Sequence, residues 1–193
     1  VYGYMNRGSH EGTIGIQVYG YNGMLNTIEE MIFIPYNKSY LTLKTDMEQL
    51  CYINKNEIFF IYLDGSILAV NLSERSYDVI AENLQQGSFQ VSGTDKMLVW
   101  QNSADAYNCT KLILMNLNTG NTQEIPTDGQ NRLLPLGFIN EDLIYGVARY
   151  NDISIDFSGS VTFPMYAVYI RDEQGNILKT YHQENIYVTE VDV

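Results

Sequence analysis

Apolar residues recur along this chain in short runs, alternating or clustered, and each run stops at a polar turn. Four segments repeat one design: "GIQVYGYNGMLNTIEE" (15–30), "SILAVNLSERSYDVI" (66–80), "KLILMNLNTGNTQEI" (111–125) and "YAVYIRDEQGNILKTY" (166–181). Each reads as two strands around a tight turn, centred near Asn22-Gly23, Glu74, Thr119 and Gln174. Gly23, Gly120 and Gly175 are expected to supply the positive φ that tight hairpins need, whereas "SERS" has no glycine to do so. "MLNTIEEMIFI" fits one turn of helix or the second strand of the first hairpin equally well.

A further run precedes each hairpin: "VYGYMN" (1–6), "EIFFIYLDG" (57–65), "KMLVWQNS" (96–103) and "DLIYGVARY" (142–150). In three cases another run stands before that one, "QLCYIN", "SFQVS" and "LPLGFIN", across the short turns "KNE", "GTDK" and "ED". The unit is therefore four strands, A-B-C-D, in meander order, and it returns after roughly 50 residues. An irregular β-sandwich would not need one pattern four times over.

This pattern resembles the β-propeller group that includes WD-repeat, TolB-like and quinoprotein-like propellers. The resemblance spans nearly the whole chain and lies in the strand pattern; no Trp-Asp dipeptide closes strand C and no Gly-His precedes it. It implies an all-β, β-propeller-like array of about four four-stranded antiparallel blades, either one domain over 1–193 or part of a larger propeller. The mid-blade core is expected at Ile16, Val18, Phe59, Ile61, Leu98, Trp100, Leu112, Leu114, Ile144, Val147, Ala167 and Tyr169. "IYVTEVDV" (186–193) reads as an A strand lacking its B, and residues 1–6 as a B strand lacking its A. The two are expected to pair within the chain, or between copies through these edges. The chain begins at Val1 inside a strand-like run, so it is expected to be an excerpt of a longer polypeptide.

Loop length then separates two faces. A–B and C–D turns are short, whereas "RGSHEG" (7–12), "PYNKSYLTLKTDME" (35–48), "SADAYNC" (103–109) and "NDISIDFSGSVTFP" (151–164) all belong to B–C or D–A connections. Binding residues favour such loops. Arg7, His10, Glu11, Tyr36, Tyr40, Asp105, Tyr107, Asp152 and Asp156 are accordingly the candidate binding residues. Tyrosines beside amides and carboxylates suit a protein, peptide or glycan ligand.

Charge and chemistry narrow the picture further. A net charge of −12 disfavours nucleic acid and anionic membrane surfaces. No apolar run is long enough to span a bilayer. Cys51 and Cys109 lack metal-ligand spacing and read as two small buried hydrophobes rather than a disulfide. No metal site and no cofactor are expected: Glu141, Asp142, Asp152 and Asp156 could collect a calcium ion, but no EF-hand or nonapeptide spacing is present. "SIDFSGSVTF" (154–163) only loosely matches the sialidase-type Asp box, its Gly159 and Thr162 falling late. His10-Glu11 is the one imidazole–carboxylate neighbour pair outside a strand, but adjacent side chains seldom address one target. His182 reads as a surface residue and Trp100 as core. The expectation is a non-catalytic binding or scaffold module of a bacterial extracellular or cell-envelope protein. The alternative is a propeller-type glycan hydrolase drawing its carboxyl pair from Glu11, Asp105, Asp152 or Asp156.

Overall fold

The structure, a computed structural model, describes residues 1–85 and 87–193. The chain divides into two compact units, Val1–Glu82 and Asn83–Val193. Both are built from antiparallel meander sheets, and among the described residues the fold is all-β but for one helix and a 3-10 turn.

The first unit opens with a three-stranded sheet, β1 (Tyr2–Tyr4), β2 (Ile14–Asn22) and β3 (Thr27–Tyr36), in the order β1-β2-β3. The ambiguous "MLNTIEEMIFI" thus resolves as strand, its β-branched and aromatic end pairing Phe33 with Gln17 and Ile34 with Ile16. A four-stranded meander follows: β4 (Cys51–Ile53), β5 (Ile58–Leu63), β6 (Ser66–Asn71) and β7 (Ser76–Ala81). The second unit holds two more such meanders. The first is β8 (Phe89–Val91), β9 (Met97–Gln101), β10 (Lys111–Asn116) and β11 (Thr122–Pro126). The next runs β12 (Asn131–Ile139), β13 (Asp142–Arg149), β16 (Met165–Arg171) and β17 (Ile177–His182). Between β13 and β16 the chain inserts a 3-10 turn (Tyr150–Asp152) and a small hairpin, β14 (Ser154–Ile155) with β15 (Val161–Thr162).

One side-chain device ends strand C in each of the meanders. Asn22 and Asn116 each accept two backbone N–H groups from the turn that follows through one side-chain oxygen, and Asn71 and Asp172 accept one. The side chain stands in for a backbone carbonyl and fixes the turn before the next strand starts. Positive φ falls on Gly120 and Gly175 as the sequence predicts, but on Asn26 instead of Gly23 in the first turn. Arg75 takes it in "SERS", where no glycine is present.

The core follows the pleat. Of the twelve predicted core positions Val18 and Tyr169 are half-buried and the others buried. Cys109 is buried, but Cys51 is exposed, contrary to its expected place in the core, and no disulfide joins the two.

Two further expectations, about chain segments, fail for a packing reason. The connection 35–48 is not an open loop: Tyr40–Gln49 form α1, with Ser39 Oγ accepting the Thr42 N–H as its N-cap. Leu43 carries the helix into the first unit's core, fully buried with Ile16, Ile34, Phe59 and Ile61. Residues 186–193 do not form an A strand. Val188 alone pairs, exchanging both backbone hydrogen bonds with Met165 at 2.9 Å, while Val188 and Val191 pack on the cluster of Ala148, Phe163 and Met165. Apolar burial inside the second unit replaces edge pairing, and β1 remains an edge strand of a three-stranded sheet. Among the described residues no helix is long and apolar enough to cross a membrane.

Candidate functional site

In the second unit the D–A connection before β12 and the segment after β13 border a cleft of about 570 Å³. Such a volume falls in the range of small-ligand sites. Gly129, Gln130 and Asn131 form one wall, Arg149, Tyr150, Asn151 and Asp152 the other, and Tyr166 also lines it.

Each wall is held by local chemistry. Asp128 Oδ1 accepts the backbone N–H groups of Gln130 at 3.1 Å and Asn131 at 3.2 Å, closing an Asx turn in which Gly129 takes φ 84°. Arg132, buried, points back beneath the site. Its Nε donates to Asn108 Oδ1 at 2.6 Å, and its Nη1 to the carbonyls of Gly129 at 2.7 Å and Asn131 at 2.9 Å. Three charge-assisted bonds offset the cost of burying a guanidinium that cannot lose its proton. That guanidinium lies 4.2 Å from the centre of the Tyr150 ring, a cation–π contact that pins the ring from one side. The Asn108 bond also ties the 103–109 loop to the cleft, and Gln101 Nε2 holds the same loop through the Ala106 carbonyl at 2.7 Å.

Arg149 is held more loosely. It lies 5.0 Å over Tyr166, and its Nη1 reaches Asp152 Oδ2 at 3.5 Å and the Tyr187 hydroxyl at 3.4 Å. Those bonds are long for a charged donor, whose bonds run about 2.7–2.9 Å, so the fork keeps donor capacity towards solvent. Burial raises the pKa of the Tyr166 phenol, which stays neutral.

Among the sequence-predicted site residues, only Asp152 lines this cleft. Asp105 and Tyr107 share the adjoining loop, Asp105 Oδ1 accepting the Tyr107 N–H at 2.9 Å, and the Tyr107 ring tilts against Phe163 at 6.0 Å. Asp156 is spent on its own hairpin. Its Oδ1 accepts from the Ser158 and Ser160 N–H groups and from the Ser158 hydroxyl. These bonds, the Ser158 hydroxyl first, hold its carboxyl below the usual value, the reverse of what a general acid needs. Glu141, one of the four acidic candidates for calcium, instead faces Lys96 and Thr94, which lower its pKa.

In the first unit Arg7 and Glu11 are exposed on the β1–β2 loop. His10 on that loop does not use Glu11. Its ring stacks on Phe33 at 3.8 Å and its Nε2 lies 2.7 Å from Glu30 Oε1. Hydrogen bonds from Gln17 and then His10 hold the Glu30 carboxyl below its ordinary value. Tyr40, at the start of α1, stacks on Tyr2. Tyr36 is the clear correction: it closes β3 and is buried, its hydroxyl donating to Asp46 Oδ2 at 2.7 Å. It faces the core and presents nothing to a ligand.

Sequence reasoning missed Arg149, Tyr150 and Tyr166 because it assigned all three to strands. The available signal was the basic-aromatic pair "RY" at the end of a strand that leads into one of the two longest connections.

No family model matches the sequence, and no curated protein matches it. Among solved structures the chain is similar to Porphyromonas gingivalis dipeptidyl peptidase 4, with a TM-score of 0.31 and 10% identity over 95% of this chain. It spans 38% of that peptidase's length. It is also similar to YjhT, with a TM-score of 0.28 and 9% identity, covering 93% of this chain and 76% of that one. At these scores neither likeness assigns a fold or an activity. The class is set by the sheets themselves: an all-β protein of repeated four-stranded antiparallel meanders.

Proposed function

We propose that this chain is a non-catalytic binding module whose ligand, a glycan, peptide or protein segment, seats in the cleft of residues 129–131, 149–152 and Tyr166. With the meanders as blades of a propeller, complete or part of a larger one, B–C and D–A connections share one face, and the cleft is made from one of each. The observation that carries the reading is the pinned Tyr150 ring. It is 52% exposed, although Arg132 occupies one of its faces. An aromatic surface fixed from behind loses little freedom when a ligand covers it, which is how preorganised sites gain affinity. The hydrolase alternative finds less support, since Asp156 is committed to its own turn and Asp152 faces Arg149.

The test is to immobilise the chain and screen glycans and peptides by surface plasmon resonance, mapping binders by amide chemical shifts. Shifts concentrated at 129–131 and 149–152, with at least tenfold weaker binding by Tyr150→Ala, are expected. Shifts confined to other surfaces would reject the site.

A further inference from the structure

Building on that cleft reading, we infer that the ligand is a saccharide bearing a hexuronic acid, its carboxylate taken by Arg149 and its ring by the open face of Tyr150. Three observations lead there. The first is the half-satisfied guanidinium. Besides lying over Tyr166, the Arg149 guanidinium makes two long polar contacts, to Asp152 and Tyr187 at 3.5 and 3.4 Å. A planar fork with free donors beside a cleft matches a carboxylate bidentately.

The second is the stacking surface. One face of Tyr150 lies on Arg132, so its exposed area is the opposite face. The C–H side of a pyranose covers such a face, and Gln130 and Asn151, which also line the cleft, carry side-chain amides suited to the hydroxyls.

The third separates a sugar acid from a peptide C-terminus. Peptide carboxylates are captured by nests of backbone N–H groups. Here the N–H groups that would make a nest, those of Gln130 and Asn131, already donate to Asp128 Oδ1. The Tyr150 N–H is likewise taken, by the Gln130 carbonyl, while Arg149, Gln130 and Asn151 bring side-chain donors to the cleft. The chain's net charge of −12 opposes a long polyanion, so a short acidic unit is favoured.

Isothermal titration with digalacturonate and with its carboxyl-reduced, neutral counterpart tests the inference, using the whole chain. The acidic disaccharide should bind at least tenfold tighter than the neutral one. Arg149→Gln should erase that difference, weakening the acidic disaccharide at least tenfold more than the neutral one, and Tyr150→Ala should weaken both. Melting temperatures of the variants, expected near the parent because both side chains are half-exposed, exclude misfolding as the cause. Equal binding of both sugars, or an Arg149→Gln loss shared by both, would overturn the uronate inference and leave the cleft reading standing. Binding of neither sugar, with peptides shifting the cleft amides, would also overturn it and keep the cleft. If no panel member shifts those amides, both readings fall together.

Discussion

After β3 the first unit's long connection folds inward, as α1, while in the second unit the equivalent connection after β11 stays at the surface as an Asx turn. The aromatic and acidic groups follow suit. Tyr36 and Asp46 meet in the first unit's interior, and Asp46 Oδ2 also accepts the Asp64 N–H at 2.7 Å. In the second unit Arg132 is buried beneath Tyr150 but leaves that ring, Arg149 and three amide side chains facing a cleft. Similar sheets thus spend similar loop chemistry on stability in one case and on accessible surface in the other. Loop length alone does not mark function; what matters is whether the polar groups find partners inside the fold.

The strongest challenge to this contrast is Leu43→Ala. It removes the buried anchor of α1 and should cost about 2–5 kcal/mol in chemical denaturation of the first unit. Ligand-induced shifts at the cleft should persist. Loss of the cleft response in the still-folded variant would show that the two units do not divide their roles in this way.

Next in size, Tyr36→Phe leaves the buried Asp46 carboxylate short of a donor and should cost about 2 kcal/mol. Its pH signature has a definite sign. Burial, and then Asp46, raise the Tyr36 pKa above its ordinary 10.0. The contribution is therefore complete below pH 10 and lost as pH rises through the raised value. Alkaline melts should separate parent and variant less and less as the pH climbs from 10 towards the raised value.

A smaller effect is expected from Asn116→Ala, which removes the acceptor of the Asn118 and Thr119 N–H groups. About 1 kcal/mol should be lost, with faster hydrogen exchange confined to the 116–122 turn. Asp156→Ala should loosen the β14–β15 hairpin in the same local way and leave binding at the cleft within twofold. A larger loss of binding would return Asp156 to the ligand site.

The least effect belongs to the half-exposed trio of His10, Glu30 and Gln17. The folded Glu30 carboxyl titrates below its ordinary 4.5, so its contribution is present above that pH and lost as pH falls through the lowered value. Glu30→Gln should flatten the acid limb of the stability profile slightly and change nothing near neutrality.

Much of the architecture was readable because period-2 patterning and turn chemistry agreed: four meanders, their strand order and most of the core lie where the apolar runs put them. Helix α1 escaped notice because "YLTLKTDMEQ" carries only a thin apolar stripe, and Leu43 owes its importance to what it meets in space. The tail misled for a related reason. "IYVTEVDV" has strand composition, but Val188 and Val191 gain more by packing on Met165 than an edge ladder offers. The cleft was half legible. Asp152 stands in a loop and was seen, whereas Arg149 and Tyr150 straddle a strand end, where side chains turn towards the loop face without any change in composition.

Trp100, the chain's single tryptophan, lies in β9 between β8 and β10 and is buried. The second unit therefore carries a built-in optical label that the first unit lacks. Indole emission reports the second unit's unfolding alone, while circular dichroism of the strands reports both. Without any added probe, comparing the two melting curves reveals whether residues 1–82 and 83–193 come apart in one event or two.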